Sequence, residues 1–278
     1  DQTAKKMKKN SKSLDYYLLQ LQEMGVRHTL KSCTSSSSIR IEGGRNYFFP
    51  NGDAIDPKYL QFIKSTKKEV CENAATLEPP LKEENPKFIR FSPLFCDDFY
   101  HTDFVEVDIS GAYWFTAFDY GLICRTTYED GLKVPKRVRL MALGAAATTK
   151  DIMYFDGERY DHKGVEYDPF GRFAFFAVAK KVDDIMSLAL DLLHGNAAFY
   201  WVDALFVRKT FSEYAVQMIR SYGYEVKETP LLWLRGDATE KTIDGCSILA
   251  EKVLRNGYRI MCWEFKKYYR PRKKRKSL

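Results

Sequence analysis

Two strand-like stretches of this chain each hold one isolated aspartate, and no other feature restricts the fold as much. In "FVEVDISGAYWFTAF" (104–118) apolar residues alternate, with Val105, Val107 and Ile109 on one face and Glu106 and Asp108 on the other, before the run breaks on Gly111. In "NAAFYWVDALFVRK" (196–209), 95 residues on from Asp108, an apolar aromatic run carries Asp203. An ionised carboxylate among buried residue types is costly unless it is paired or holds a cation. Two of them on neighbouring strands repel unless divalent metal sits between them, which is the arrangement of two-metal phosphoryl or nucleotidyl transfer, with ions about 4 Å apart. A strand aspartate at a sheet edge or in a salt bridge needs no metal, and the residue types alone leave both readings open.

The 278 residues can bury one large core or two small ones, and 45% hydrophobic with 29% charged residues is the balance of a globular chain. No stretch has the length and apolarity of a membrane span. The lysines of "DQTAKKMKKN" precede no apolar segment, so a signal peptide, an anchor or a membrane partner is not expected and an intracellular, cytoplasmic setting is. The six cysteines (33, 71, 96, 124, 246 and 262) include no CxxC pair, which argues against a zinc site and for reduced thiols. His28, His101, His162 and His194 are isolated, and none reads as a catalytic base. Five lysines against Asp1 in residues 1–12, and eight Lys/Arg against Glu264 in residues 264–278, put the two ends at +11; with a formal charge of +7 the body between them is −4. Basic ends that hold a phosphate backbone around an acidic centre would fit that asymmetry, as would two solvated tails.

Along the chain, "SLDYYLLQLQEMGV" (13–26) predicts a helix with Ser13 as its cap, and "SSIRIEGGRNYFFPNGD" a hairpin turning on Gly43 and Gly44. A helix follows over "PKYLQFIKSTKKEVCENAA", then "TLEPPLKEENPKF" (76–88), whose three prolines mark a connection and a boundary near residue 90. Beyond it come the Asp108 strand, a helix-like "GAYWFTAFDYGLI", a turn at "YEDGLKVP", a helix over "KRVRLMALGAAATTK" and a hairpin at 152–166. The long helix "FGRFAFFAVAKKVDDIMSLALDLLHG" leads into the Asp203 run, the helix-like "SEYAVQMIRSYG" and the strand-like "YEVKETPLLWL".

In order and spacing these segments resemble the motifs of B-family DNA polymerases. The family's first motif, DxxSLYP, is matched by "DISGAYW" at Asp108 and Tyr113, with Gly111 and Trp114 where Ser and Pro are usual. Its third, YGDTDS, aligns on "FYWVDALFV", so that Asp203 takes the second aspartate while Trp201 and Ala204 replace the first aspartate and the serine. Between them KxxxNSxYG meets "RLMALGAAA" in outline: Arg139 stands for the lysine, and Leu143 and Ala146 for the Asn and Tyr. The likeness covers about residues 104–235.

This resemblance implies an α+β fold: a polymerase-like palm, an antiparallel sheet with helices on one face, over residues 91–235, with short fingers at about 125–165. Outside the likeness lie a small N-terminal region (1–90) of unknown role and a basic extension (236–278) that leaves room for a very small thumb or none. The activity implied is that of a minimal, phage- or mobile-element-type DNA polymerase, extending a primer on a template with deoxynucleoside triphosphates and without proofreading. Asp108 and Asp203, with the backbone carbonyl of Ile109, would ligate two Mg²⁺ ions, or Mn²⁺ in their place. Glu106 would be an outer-shell acid, Tyr113 would lie under the nucleotide sugar, and Arg139, Lys136 and Arg137 would grip phosphates. The aromatic-basic run Lys266, Lys267, Tyr268, Tyr269, Arg270 reads as a nucleic-acid track. A protein primer or accessory factor is an open alternative for the partner. A two-metal nuclease and a non-catalytic nucleic-acid-binding protein on a degenerate polymerase fold are the competing functions.

Overall fold

In the computed structural model, residues 13–33, 36–44, 46–50, 56–78, 81, 85–92, 99–237, 247–254 and 257–264 are described. In chain order they begin with α1 (Leu14–Glu23), β1 (His28–Ser32), β2 (Ser36–Ile41), β3 (Asn46–Pro50), α2 (Leu60–Thr76), β4 (Ile89–Phe91), β5 (Phe99–His101) and β6 (Phe104–Ile109). There follow α3 (Ala112–Asp119), α4 (Arg125–Leu132), α5 (Lys136–Ala146), β7 (Lys150–Phe155), β8 (Tyr160–Glu166) and α6 (Pro169–Leu192). The last are β9 (Ala197–Trp201), β10 (Ala204–Arg208), α7 (Ser212–Ser221), β11 (Val226–Asp237), β12 (Ser247–Leu254) and β13 (Gly257–Glu264). The architecture is α+β, with seven helices and two antiparallel sheets among the described residues. None of those helices is long and apolar enough to cross a membrane. The chain divides into two units, one of residues 1–83 and 122–175, the other of residues 84–121 and 176–278.

The first unit is built on a five-stranded sheet of order β3-β2-β1-β7-β8. Leu14, Tyr17, Leu18 and Leu21, spaced to share one face of α1, pack on Leu30, Ile39, Tyr47, Phe49 and Met153 of its inner face. Ser13 starts that helix through its carbonyl, which accepts from Tyr16 and Tyr17 N–H at 3.1 and 3.4 Å; its hydroxyl makes no capping bond. His28 is fully buried and satisfied, with Nδ1 at 2.8 Å from Val26 O and Nε2 at 2.7 Å from the Tyr160 hydroxyl. Helices α2 and α5 pack together. Gly171 lets the start of α6 approach them, since a Cβ there would lie 2.6 Å from Ala146 O and 2.7 Å from Cys71 Sγ.

In the second unit the sheet order is β13-β12-β11-β6-β10-β9-β4, with β5 also paired to β11. One face of its centre packs Val105, Val107, Ile109, Leu205 and Val207 against Val182, Ile185, Met186 and Ala189 of α6 and Ala215, Val216 and Ile219 of α7. The opposite face carries a second apolar cluster of Phe104, Phe199, Phe206, Leu231 and Leu234. Apolar residues on both sides of β9 and β10 explain why these strands read as near-continuous hydrophobic runs, whereas β6 alternates.

The grouping differs from the sequence expectation in two respects, the first being that β12 and β13, inside the expected thumb-like or basic extension 236–278, continue the second sheet. The division falls at 83/84, inside the proline-bearing connection at 76–88, but β7 and β8, expected within a fingers insertion at 125–165, complete the sheet of the N-terminal strands. Strand β1 pairs with β7 across more than a hundred residues of chain, from His28 opposite Phe155 to Ser32 opposite Asp151. Such non-local pairing leaves no local sequence signal.

Candidate functional site

Asp108 sits at the end of β6, and β10 lies antiparallel beside it with Ala204 directly opposite Asp108. The two residues before Ala204, Val202 and Asp203, form the loop of the tight β9–β10 hairpin, where Trp201 pairs with Ala204. Ile109 N–H donates to Asp203 O at 2.9 Å, so the backbone of the second aspartate lies against the residue following the first. The pairing therefore brings both acids to one end of two adjacent strands. Gly111, at φ +66, then turns the chain from β6 into α3 in the left-handed region.

The register also fixes what surrounds Asp108. Its row across the sheet reads Lys227, Asp108, Ala204, Trp201, Ile89, on the face away from α6 and α7. The neighbouring row reads Thr229, Glu106, Phe206, Phe199, Phe91, with Phe199 stacked on Phe206 at 4.2 Å between ring centres. Glu106 is thus the second carboxylate on this face, and it is buried. Beyond the end of β6 lies an open hollow of about 450 Å³, lined by Ser110, Arg220, Gly223, Tyr224, Glu225 and Val226.

Behind the hairpin stands a fourth acid that the sequence reading does not single out. Asp183 of α6 is buried and accepts three hydrogen bonds, from Lys87 N–H at 3.0 Å, Phe88 N–H at 2.9 Å and the Tyr200 hydroxyl at 2.7 Å. Its one sequence signal is position: Ala179, Asp183, Met186 and Leu190 form a helical stripe that is otherwise apolar and buried, whereas Asp184 points outward to Lys180. Lys227 has no comparable signal, because its place opposite Asp108 depends on the β6–β11 register.

Tyr113 of α3 packs against the core cluster shared with α6 and α7. Burial pushes its hydroxyl well above the usual tyrosine range, helped by the nearby charges of Asp203 and Asp183. Lys136, Arg137 and Arg139 lie on α5, in the other unit from the aspartates. Arg139 donates from Nη1 to Gly131 O at 3.1 Å, near the C-terminus of α4, and Lys136 and Arg137 are exposed. Lys266, Lys267, Tyr268, Tyr269 and Arg270 lie outside the described residues.

As a donor set for metal, the site offers Asp108 and Asp203, with no group of three His, Cys, Asp or Glu suited to an ion among the described residues. Mg²⁺ fits such a set: it dehydrates reluctantly and is commonly held by one or two carboxylates, with water and substrate phosphate completing its shell. The chain matches no protein-family profile, and no curated protein sequence matches it.

Proposed function

We propose that the chain is a nucleotidyltransferase of the B-family polymerase type, a minimal DNA polymerase that adds deoxynucleotides to a primer 3′-hydroxyl. The observation that carries this reading is the register of β10 on β6, which sets the Asp203 turn beside Asp108 in the order and spacing of the family's first and third motifs. The helices packed on the opposite face of the sheet support a palm-like domain. Asp108 and Asp203 would hold Mg²⁺ or Mn²⁺, which when bound supplies positive charge to a triphosphate and lowers the pKa of an attacking hydroxyl. Tyr113, anchored by its packing in the core, would bound the sugar; Arg139, Lys136 and Arg137 would contact phosphate. The alternation that turns Asp108 away from the apolar helix face leaves its carboxylate directed to the face a substrate would approach.

Incubated with primer–template DNA, deoxynucleotides and Mg²⁺, the protein should lengthen the primer. Asp108→Asn and Asp203→Asn should each reduce extension to the level without enzyme, because each removes a charged ligand. Extension that survives both substitutions, or net degradation of the DNA by the unaltered protein, would refute the reading.

One observation favours a second reading. Leu143 and Ala146, at the positions of the family's Asn and Tyr, are only 4% and 1% exposed, so they serve the packing of α5. A polymerase fold without those substrate-binding side chains would bind nucleic acid without extending it. Binding of primer–template by a protein that neither binds Mn²⁺ nor extends the primer would establish that alternative.

A further inference from the structure

We propose that Asp183 is the positioning residue of the Asp108–Asp203 site, holding the Val202–Asp203 turn in a strained conformation through the backbone of Phe88; the inference rests on the reading of those two aspartates as metal ligands. Two non-glycine residues in unit 2 with bulky side chains adopt positive φ next to one another in space: Phe88 at +61° and Val202 at +58°. For a β-branched residue this is a true outlier, and such strain persists only where the surroundings over-determine it. Here the surroundings can be named. The Asp183 carboxylate, 4% exposed, accepts from Lys87 and Phe88 N–H and so fixes the peptide that enters Phe88. Phe88 O then accepts from Val202 N–H at 2.6 Å, and the next residue is Asp203, whose own carbonyl is taken by Ile109 N–H.

The chain from α6 to the site is therefore continuous: carboxylate, Phe88 peptide, Val202 N–H, Asp203. The same helix grips β4 at two further points one and two turns on, where Arg90 donates to Ser187 Oγ at 2.7 Å and to both Asp191 carboxylate oxygens at 2.8 and 2.6 Å. That pair ties strand to helix without touching the Phe88–Val202 link. It provides the control that separates positioning from general support.

The experiment is a titration of the full chain with Mn²⁺ alone, following the free ion by electron paramagnetic resonance, with near-UV circular dichroism to verify that each variant is folded. Asp203→Asn should abolish the tight site. Asp183→Asn should weaken it by about tenfold or more, the size expected when a group that orients a metal ligand is removed, while Asp191→Asn should leave it within about threefold even though it weakens the strand's attachment to the helix. If Asp203→Asn binds Mn²⁺ as the unaltered protein does, the reading of the site fails and the proposal fails with it. If Asp203→Asn loses the ion but Asp183→Asn keeps it, or if Asp191→Asn and Asp183→Asn behave alike, the site stands and the positioning role is overturned. Should Asp183→Asn not fold, Val202→Gly carries the test: glycine adopts this φ without strain and keeps the N–H, so thermal stability should rise with Mn²⁺ affinity unchanged. A fall in stability would mean that the turn is not held against strain, and would end the proposal.

Discussion

A buried phenol resists ionisation, and Tyr113, Tyr200 and Tyr224 are all held above the usual tyrosine range chiefly by burial, at Tyr200 against the opposing charge of Arg90. Tyr224 is pushed up to about 12; at Tyr200 the bond to the Asp183 carboxylate adds to burial. Below pH 10 folded and unfolded chains both keep these protons and the stability is intact. Above the unfolded value near 10, the unfolded chain gains by losing a proton that the folded phenol retains, so stability falls by about 1.4 kcal/mol per pH unit for each such group until the folded value is reached. Absorbance near 295 nm should therefore rise in two stages, exposed tyrosines first and the buried ones together with unfolding, as the thermal midpoint drops between pH 10 and 12. A single stage with no loss of stability would mean that these three hydroxyls are not buried. At this scale the sequence is partly legible. The alternation in "VEVDI" puts Asp108 on the face opposite Val107 and Ile109, where the register places it. Lys227 and Asp183 escape such a reading, because the first acts through cross-strand register and the second through backbone donors, which no side-chain pattern records.

Among the elements, two glycines do different jobs and should respond differently to substitution. Gly111 has no atom within 4 Å of an added Cβ but lies at φ +66, so its demand is conformational; Gly171 has ordinary φ but no room. Gly111→Ala should cost about 1–2 kcal/mol for a left-handed L-residue, and Gly111→Asn less, since Asn tolerates that region. Gly171→Ala should cost about 1–3 kcal/mol through overpacking, and Gly171→Asn more, because volume is what the site lacks. Urea unfolding of the four variants checks the contrast; the same ranking of Ala and Asn at both sites would refute it. Helix periodicity makes most elements readable: Val178, Val182, Ile185, Met186 and Ala189 recur at three and four along α6 and are all buried. The short helix α4, "RTTYEDGL", takes in residues 128–132, where the sequence predicts the turn "YEDGLKVP"; its threonines and Gly131 are poor helix formers and hide it. Strand β1 carries no signal strong enough to read, and its pairing with β7 joins segments that lie in different regions of the chain; the β12–β13 hairpin has a signal in Asn256-Gly257 between two strand-like runs, which the motif-led reading of 236–278 as a basic extension passes over.

For the whole molecule, charge is the property that no single element carries. The ends of the chain hold +11 against −4 for the rest, and the cations within 264–278 are interleaved with Tyr268 and Tyr269. If the protein works on nucleic acid, long-range attraction should come from these ends and site chemistry from the acidic body, since screening limits what a charge beyond about 8 Å contributes at physiological salt. Removing residues 265–278 should then weaken binding to duplex DNA and flatten its dependence on salt, by about 0.9 of log–log slope for every phosphate that the chain no longer neutralises. Replacing Tyr268 and Tyr269 with Ala should act otherwise, weakening single-strand binding by about 1–3 kcal/mol per stacked base while leaving that slope unchanged. Fluorescence anisotropy across a salt series measures both quantities on the same proteins. A truncated chain that binds as tightly as the full one at every salt concentration would move the phosphate track onto the body, where the exposed cations of α5 are the next place to look.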